Sequence, residues 1–398
     1  LKPTGKYNVG FQDFHLINGT ISNGSYYCPG KTDLLYIPGK NEGDFDALNQ
    51  NDHCREIMIR VYYPTQNKVL PYANYYLPAI NDLEDMIRSA NVPGVTEPQI
   101  RDIENIKTFT LNLTNQDSNI VQQKFPVLIF DPGAGVEAQS YENTIGEMVS
   151  HGYIAIAINN TFIGTSILFP DGRMVHAQEN LMSKISIADH SVVNDILFVR
   201  DVLSEKENTL KILTSHMQLD HVGLFGHSLG GISVVKTVKD YPSLFQAAIS
   251  FDAHPVAFGT RTYSPDELTA SFPKTPFLRL FAAEWRNLAN IGVPKDVHYT
   301  LAKHNYYVLL SPSEDNVNYT DHMSFSDYST LQYQPTIKLF LDHSSPGILG
   351  TADGWRISKL INIYTLEFFD EYLKNKQSTH LNKCTPFSND TILRCGEK

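Results

Sequence analysis

Ser228 stands in Gly226-His227-Ser228-Leu229-Gly230-Gly231, directly after the apolar run 222–225 and before an apolar segment of helical length, 232–238. Glycines two residues either side of a serine, at a strand-to-helix junction, describe a sharp turn that lifts the hydroxyl clear of its surroundings. Side chains at Gly226 and Gly230 would clash where strand and helix pass closely. The chemistry such a serine offers is nucleophilic attack on an acyl carbon. A hydroxyl does this poorly until an imidazole takes its proton, and the imidazole in turn needs an acid to orient it. A Gly-Ser turn without chemistry needs neither partner, so the supply of histidines and carboxylates decides between the readings.

Several histidines compete. His322 follows the apolar run 306–310 by one loop (311–321) and lies in Asp-His-Met-Ser-Phe-Ser-Asp. His304 precedes that run, and His343 falls in a Ser/Pro-rich stretch further on. His227 adjoins the serine but points elsewhere from such a turn, and His254 is placed more like a pocket residue. Position after a strand makes His322 the expected base. Two acids are open: Asp252 directly ends the run 247–251, and Glu284 ends the next one, in Leu-Phe-Ala-Ala-Glu-Trp. Spacing alone favours neither. Two backbone N–H groups should hold the charge that develops on the attacked carbonyl oxygen. One belongs to Leu229, after the nucleophile; the other is expected from Ala134, in Gly133-Ala134-Gly135 after the run 125–130. An ordinary tight turn would use the same glycines.

The elements that must position these groups read as follows. Apolar runs at 125–130, 153–158, 221–225, 247–251, 277–281 and 306–310 alternate with helical patterns at 141–150, 185–203 and 355–374. Short continuous apolar runs are the signature of doubly buried parallel strands, and their alternation with helices means an open, mainly parallel sheet. With the serine turn this predicts an α/β-hydrolase fold in one domain over 1–398. Residues 1–55 read as a loop-rich lead-in with edge strands, and 56–63 as a strand stopped by Pro64. Residues 65–123 read as an insertion near the site, holding a helix at 82–90 and a β-like stretch at 108–113. The loop 161–170 is unusually apolar; Phe162, Leu168 and Phe169 are candidates for an acyl pocket, with His254, or for an anchor in a lipid surface. The apolar stripe of 355–374 reads as core.

A net charge of −11 argues against nucleic acid as a partner. No run of 18 apolar residues occurs, the pattern a membrane-spanning helix requires. The four cysteines fall in two local pairs, Cys28 with Cys54 and Cys384 with Cys395. Local pairing closes the shorter loops at least entropic cost, and a Cys384–Cys395 bridge would pin the polar tail 377–398. No C-x-x-C pair points to zinc, and no metal or cofactor is expected. Paired cysteines, with Leu1 read as a processed N-terminus, predict a secreted, periplasmic or extracellular protein. Sequons at Asn18, Asn23, Asn112, Asn159, Asn318 and Asn389 do not decide the matter.

Several segments resemble one family in register, the platelet-activating-factor acetylhydrolases of the plasma and intracellular type, which are group VII phospholipases A2. Pro3-Thr4-Gly5-Lys6-Tyr7-Asn8-Val9-Gly10 is similar to its opening, and Arg60-Val61-Tyr62-Tyr63-Pro64 to its Arg-Leu-Tyr-Tyr-Pro. Phe130 to Gly135 with Tyr141, then Ser150-His151-Gly152-Tyr153-Ile154, resembles its oxyanion segment and the strand that follows. Gly226-His227-Ser228-Leu229-Gly230-Gly231 is similar to its Gly-His-Ser-Phe-Gly-Gly, Asp252-Ala253 with Pro255 and Gly259 to its acid motif, and His322 with Phe325 and Asp327 to its His-x-x-Phe-x-Asp. The resemblance implies Ser228, Asp252 and His322 as the catalytic set, with Glu284 a nearby structural or pocket residue. It also implies a calcium-independent esterase for short or oxidised sn-2 acyl chains of phospholipids. The chain departs from the pattern where the histidine of the family's oxyanion His-Gly is Pro132, in the 65–123 insertion and in the tail. General carboxylesterases, polyester and cutin-type hydrolases, and acyltransferases use the same triad, and a silent triad would leave a binding module.

Overall fold

The computed structural model describes residues 1–18, 20–22, 25–27, 55–66, 72–74, 77–113, 120–178, 181, 185–205, 210–253, 275–283, 304–310, 319–389 and 391–396. The strands in chain order are β1 (Asn8–Asn18), β2 (Thr20–Ser22), β3 (Ser25–Tyr27), β4 (Arg55–Thr65), β5 (Thr110–Asn112), β6 (Phe125–Asp131) and β7 (Ile154–Asn159). They continue with β8 (Ser166–Leu168), β9 (Met174–His176), β10 (Met217–His227), β11 (Ala247–Phe251), β12 (Phe277–Phe281), β13 (Asn305–Leu310) and β14 (Thr391–Cys395). Ten of these form one sheet in the order β14-β13-β12-β11-β10-β6-β7-β4-β1-β5. From β7 through β13 every neighbouring pair is parallel. The antiparallel pairs are β4 with β7 and β1 on one flank and β14 with β13 on the other. β2–β3 and β8–β9 are separate hairpins.

The parallel strands are buried on both faces, and their alternation sorts side chains between two cores. Along β6, Leu128 and Phe130 point into one, Val127 and Ile129 into the other. The first core is closed by helices α2 (Glu142–Ser150) and α6 (Gly354–Lys374), the second by α3 (Ile185–Ser204) and α4 (Leu229–Asp240). Full burial of a Val, Leu, Ile or Phe contributes roughly 1.5–3 kcal/mol, against about 0–1 kcal/mol for an exposed ion pair. The two apolar layers, not surface charge, therefore hold helices to sheet. The stripe of α6 (Ile357, Leu360, Ile361, Tyr364, Phe368, Leu373) is core, fully taken up by this contact.

Helix α1 (Leu77–Ala90), within 65–123, starts earlier than the pattern at 82–90 indicates, and the β-like stretch 108–113 is a strand only over β5. Leu83 and Ile87 pack with Ile100, Ile103, Ile337 and Phe340, the last two from α5 (Pro335–Ser344). The same helix touches β8. The strand expected to stop at Pro64 runs on to Thr65. Pairing with β7 ends at Tyr62, so on that side the missing proline N–H forfeits no ladder bond. Within the lead-in, 8–18 is one long strand paired along its whole length with β4. The tail is not merely pinned: 391–395 joins the sheet as an edge strand, and Cys384 and Cys395 are disulfide-bonded with Cα atoms 6.0 Å apart. Cys28 and Cys54 lie outside the described residues.

Candidate active site

β10 ends at His227, and α4 starts at Leu229, so the reversal falls on Ser228 alone. Its backbone sits at φ 54°, ψ −117°, a region that costs a non-glycine residue on the order of 1–3 kcal/mol. The surroundings hold it there. Ser228 N–H donates to the Phe251 carbonyl (3.0 Å), and Gly230 N–H to Pro132 (3.1 Å). A methyl group on Gly230 would come within 2.3 Å of the Asp131 carbonyl, and one on Gly226 within 2.7 Å of the Gly230 backbone. Gly231 is equally constrained, with Ala253 Cβ 2.7 Å from where its own Cβ would be. The three glycines are the condition for the turn.

His322 opens a short turn (His322–Phe325) whose start is capped by Asp321, the carboxylate accepting His322 N–H at 2.6 Å. From there His322 Nε2 lies 2.8 Å from Ser228 Oγ, and Nδ1 lies 2.5 Å from Asp252 Oδ2. Asp252 is fully buried and its other oxygen accepts Ala282 N–H at 2.7 Å. The His322 side chain is 30% exposed, so the line from carboxylate to hydroxyl runs from the interior to the surface. Spacing left two acids open; Asp252 is the one in contact with the imidazole, and the segment after β12 supplies it with a backbone donor. Glu284 and His254 lie outside the described residues. His304 sits before β13 beside Tyr372, and His343 is exposed in the last turn of α5.

Gly133 lies against Ser228: a Cβ there would be 3.2 Å from Ser228 Cβ. The Gly133 N–H is already given to Tyr141 Oη (3.3 Å), whereas among the described residues neither the Ala134 nor the Leu229 N–H has a partner. The loop is tied outward as well, through Gly135 N–H to the Ile163 carbonyl (2.8 Å).

Of the apolar loop residues, Phe169 is 1% exposed, buried among Met58, Ile167 and Val175 with Arg173 over its ring. With these neighbours it forms a small apolar cluster of its own. Leu168 is 41% exposed and pairs across the β8–β9 hairpin with Met174, 38% exposed. Phe162 is partly exposed at φ 68°, its carbonyl accepting Gln178 N–H. Helix α1 reaches from β8 to α5, the two segments that follow the Gly133 and His322 sides of the site.

Spacing alone assigns no role to His227 or Tyr141, which meet beside the serine. His227 is wholly buried; its Nδ1 lies 2.7 Å from Tyr141 Oη and its Nε2 3.0 Å from the His322 carbonyl. Burial, then the nearby His322, holds its pKa well below the usual imidazole value, so it stays neutral. Phe325 stacks on both His227 and Phe251, and Asp327 accepts Asn143 N–H at the start of α2. The spacing His322…Phe325…Asp327 thus ties the histidine turn to the opposite loop. His227, Asp252 and His322 are also close enough for a metal site. Their ring nitrogens are already engaged, however: Nδ1 of His322 donates to Oδ2 of Asp252 and Nε2 of His322 faces Ser228 Oγ, while Nδ1 of His227 faces Tyr141 Oη and Nε2 of His227 the His322 carbonyl.

No family model matches the chain, and no curated protein matches it. Among solved structures, the fold is similar to that of a ferulic acid esterase from Streptomyces cinnamoneus, at TM-score 0.70 and 19% identity over 98% of this chain and 97% of that one. The shared architecture is the mostly parallel sheet flanked by helices.

Proposed function

We propose that the protein is a serine esterase acting on carboxylic esters through an acyl-enzyme. The observation that carries this reading is the continuous contact Asp252–His322–Ser228, at 2.5 and 2.8 Å, ending on a strained and partly exposed serine. His322 Nε2 takes the Ser228 proton as Oγ attacks the ester carbonyl. Asp252 keeps the proton on Nδ1, so that Nε2 presents its lone pair, and stabilises the imidazolium that forms. The Ala134 and Leu229 N–H groups receive the oxyanion, a contribution of about 10²–10³ in rate per donor. The protonated His322 then delivers its proton to the leaving alcohol. Water, deprotonated by the same imidazole, releases the acid and restores Ser228.

Short or oxidised sn-2 acyl chains of phospholipids are the finer reading, supported by the sequence resemblance; the exposed Leu168 and Met174 on one hairpin favour contact with a lipid surface. The likeness to a ferulic acid esterase favours a small aromatic acyl group instead. The Cys384–Cys395 disulfide supports an oxidising, extracellular compartment. One experiment tests these readings together: p-nitrophenyl esters of increasing chain length, short-chain phosphatidylcholines and a feruloyl ester, each with Ser228→Ala as control. Hydrolysis of at least one series by the wild type, and none by the variant, is expected. Turnover by Ser228→Ala sinks the mechanism, and a preference for the feruloyl ester over phosphatidylcholine sinks the phospholipid reading.

A further inference from the structure

The contacts of His227 determine where its proton is. A backbone carbonyl only accepts, so the 3.0 Å contact between His227 Nε2 and the His322 carbonyl requires hydrogen on Nε2. A neutral imidazole carries one hydrogen, so Nδ1 is bare and Tyr141 Oη, 2.7 Å away, must donate to it. The hydroxyl oxygen is then left to accept Gly133 N–H at 3.3 Å. The bonds thus run in one direction: Gly133 N–H to Tyr141 oxygen, Tyr141 O–H to His227 Nδ1, His227 Nε2–H to the carbonyl of His322. Tyr141 and His227 are 1% and 0% exposed, so water does not compete for these bonds. Burial also raises the Tyr141 pKa and lowers that of His227, which keeps both neutral and the direction intact.

The chain joins what the ester chemistry needs in register but the sequence keeps far apart. Gly133 precedes Ala134 in the loop facing the nucleophile; His227 precedes Ser228; the His322 carbonyl belongs to the residue whose ring faces Ser228. By engaging Gly133 N–H, Tyr141 leaves the next one, Ala134, for the substrate. We propose that Tyr141 and His227 act as one unit of positioning residues, which sets the oxyanion loop and the backbone of His322 relative to Ser228. The proposal rests on the esterase reading and deepens it.

The test compares wild type with Tyr141→Phe, His227→Leu and the double variant, measuring kcat and KM on p-nitrophenyl acetate with active sites titrated by the acylation burst. Alongside, ¹⁵N NMR of histidine-labelled wild type reads the His227 tautomer. Each single variant should lower kcat about ten- to a hundred-fold, the effect of a misplaced reacting group, with KM little changed. The double variant should lose no more than the worse single one, because the residues work through one chain. The wild-type spectrum should place the His227 proton on Nε2. A purely structural role predicts fewer titratable sites with unchanged kcat per site, and that result, independent additive losses, or a proton on Nδ1 overturns the proposal. If wild type cleaves no ester, the esterase reading and the positioning role fall together, whereas the spectrum still judges the hydrogen-bond chain by itself.

Discussion

Asp252 and Asp131 are both fully buried carboxylates at strand ends, with opposite surroundings. Asp252 has two strong partners, the His322 ring and Ala282 N–H. Replacing it with Asn keeps the shape but removes the acceptor that holds Nδ1–H, so kcat should fall by about 10⁴ with KM nearly unchanged; a loss under ten-fold in steady-state kinetics would remove Asp252 from the mechanism. Asp131 faces Asn160, Asp195 and Arg55; one oxygen accepts from Asn160 and the other has no partner among the described residues. Burial, with Asp195 nearby, raises its pKa well above the usual value of 3.8. The folded state therefore keeps a proton that the unfolded chain gives up above pH 4. Stability attributable to this group is fully present at low pH and is lost as pH rises toward the folded pKa. Asp131→Asn, neutral at every pH, removes that loss. Urea midpoints should show the variant more stable than wild type at pH 7.5, with the gap closing toward pH 4; a gap that is constant or widens at low pH would refute it. The serine and the histidine could be found by spacing because each ends or follows an apolar run. The acid could not: its reach depends on β11 lying next to β10 and on a left-handed backbone at Asp252 (φ 45°), neither of which is local. Tyr141 and His227 meet only once α2 and β10 are packed together.

The strands and helices were easiest to recognise where burial is two-sided. β11 and β12 have the bounds their apolar runs indicate. The antiparallel flank was harder to delimit: β4 carries Arg55, Glu56 and Arg60 among its apolar residues, and these are satisfied by Asp195, His15, Arg173 and Asp13 from elsewhere. The same dependence on neighbours explains the doubled glycine after the serine turn. Gly231 lets α4 lie directly on the end of β11, so Gly231→Ala must push Ala253 away, and with it the adjoining Asp252. Overpacking of this kind costs about 1–3 kcal/mol. The expected result is a lowered melting temperature together with a fall in kcat; a variant with wild-type kcat would show that the spacing of α4 and β11 does not set the acid.

The sequence shows the C-terminal tail as a polar segment held by a disulfide, and the reason for its order lies in the sheet it joins. β13 would otherwise be an edge, with a row of unpaired backbone groups open to another chain. β14 covers it from Tyr306 to Leu310, and Tyr364 Oη engages both Thr391 Oγ1 (2.9 Å) and Phe387 N–H (2.8 Å). Beyond β13, Thr320 Oγ1 donates to the Leu310 carbonyl (3.0 Å), one residue before the Asp321 cap of the His322 turn. The tail thus protects the strand from which the histidine turn is hung and, among the described residues, does not touch the site. Closing a loop of this size, with Cys384 and Cys395 11 positions apart in sequence, restricts the unfolded chain by about 3 kcal/mol in free-energy terms. A Cys384→Ser/Cys395→Ser double variant, which leaves Cys28 and Cys54 untouched, should therefore lose about 2–4 kcal/mol of unfolding free energy in denaturant. Its kcat at low temperature should stay at the wild-type value while thermal inactivation quickens, because β14 still pairs with β13 in the folded state and only its retention is weakened. Loss of kcat at low temperature, where both proteins are fully folded, would instead mean that the tail sets the position of His322 directly.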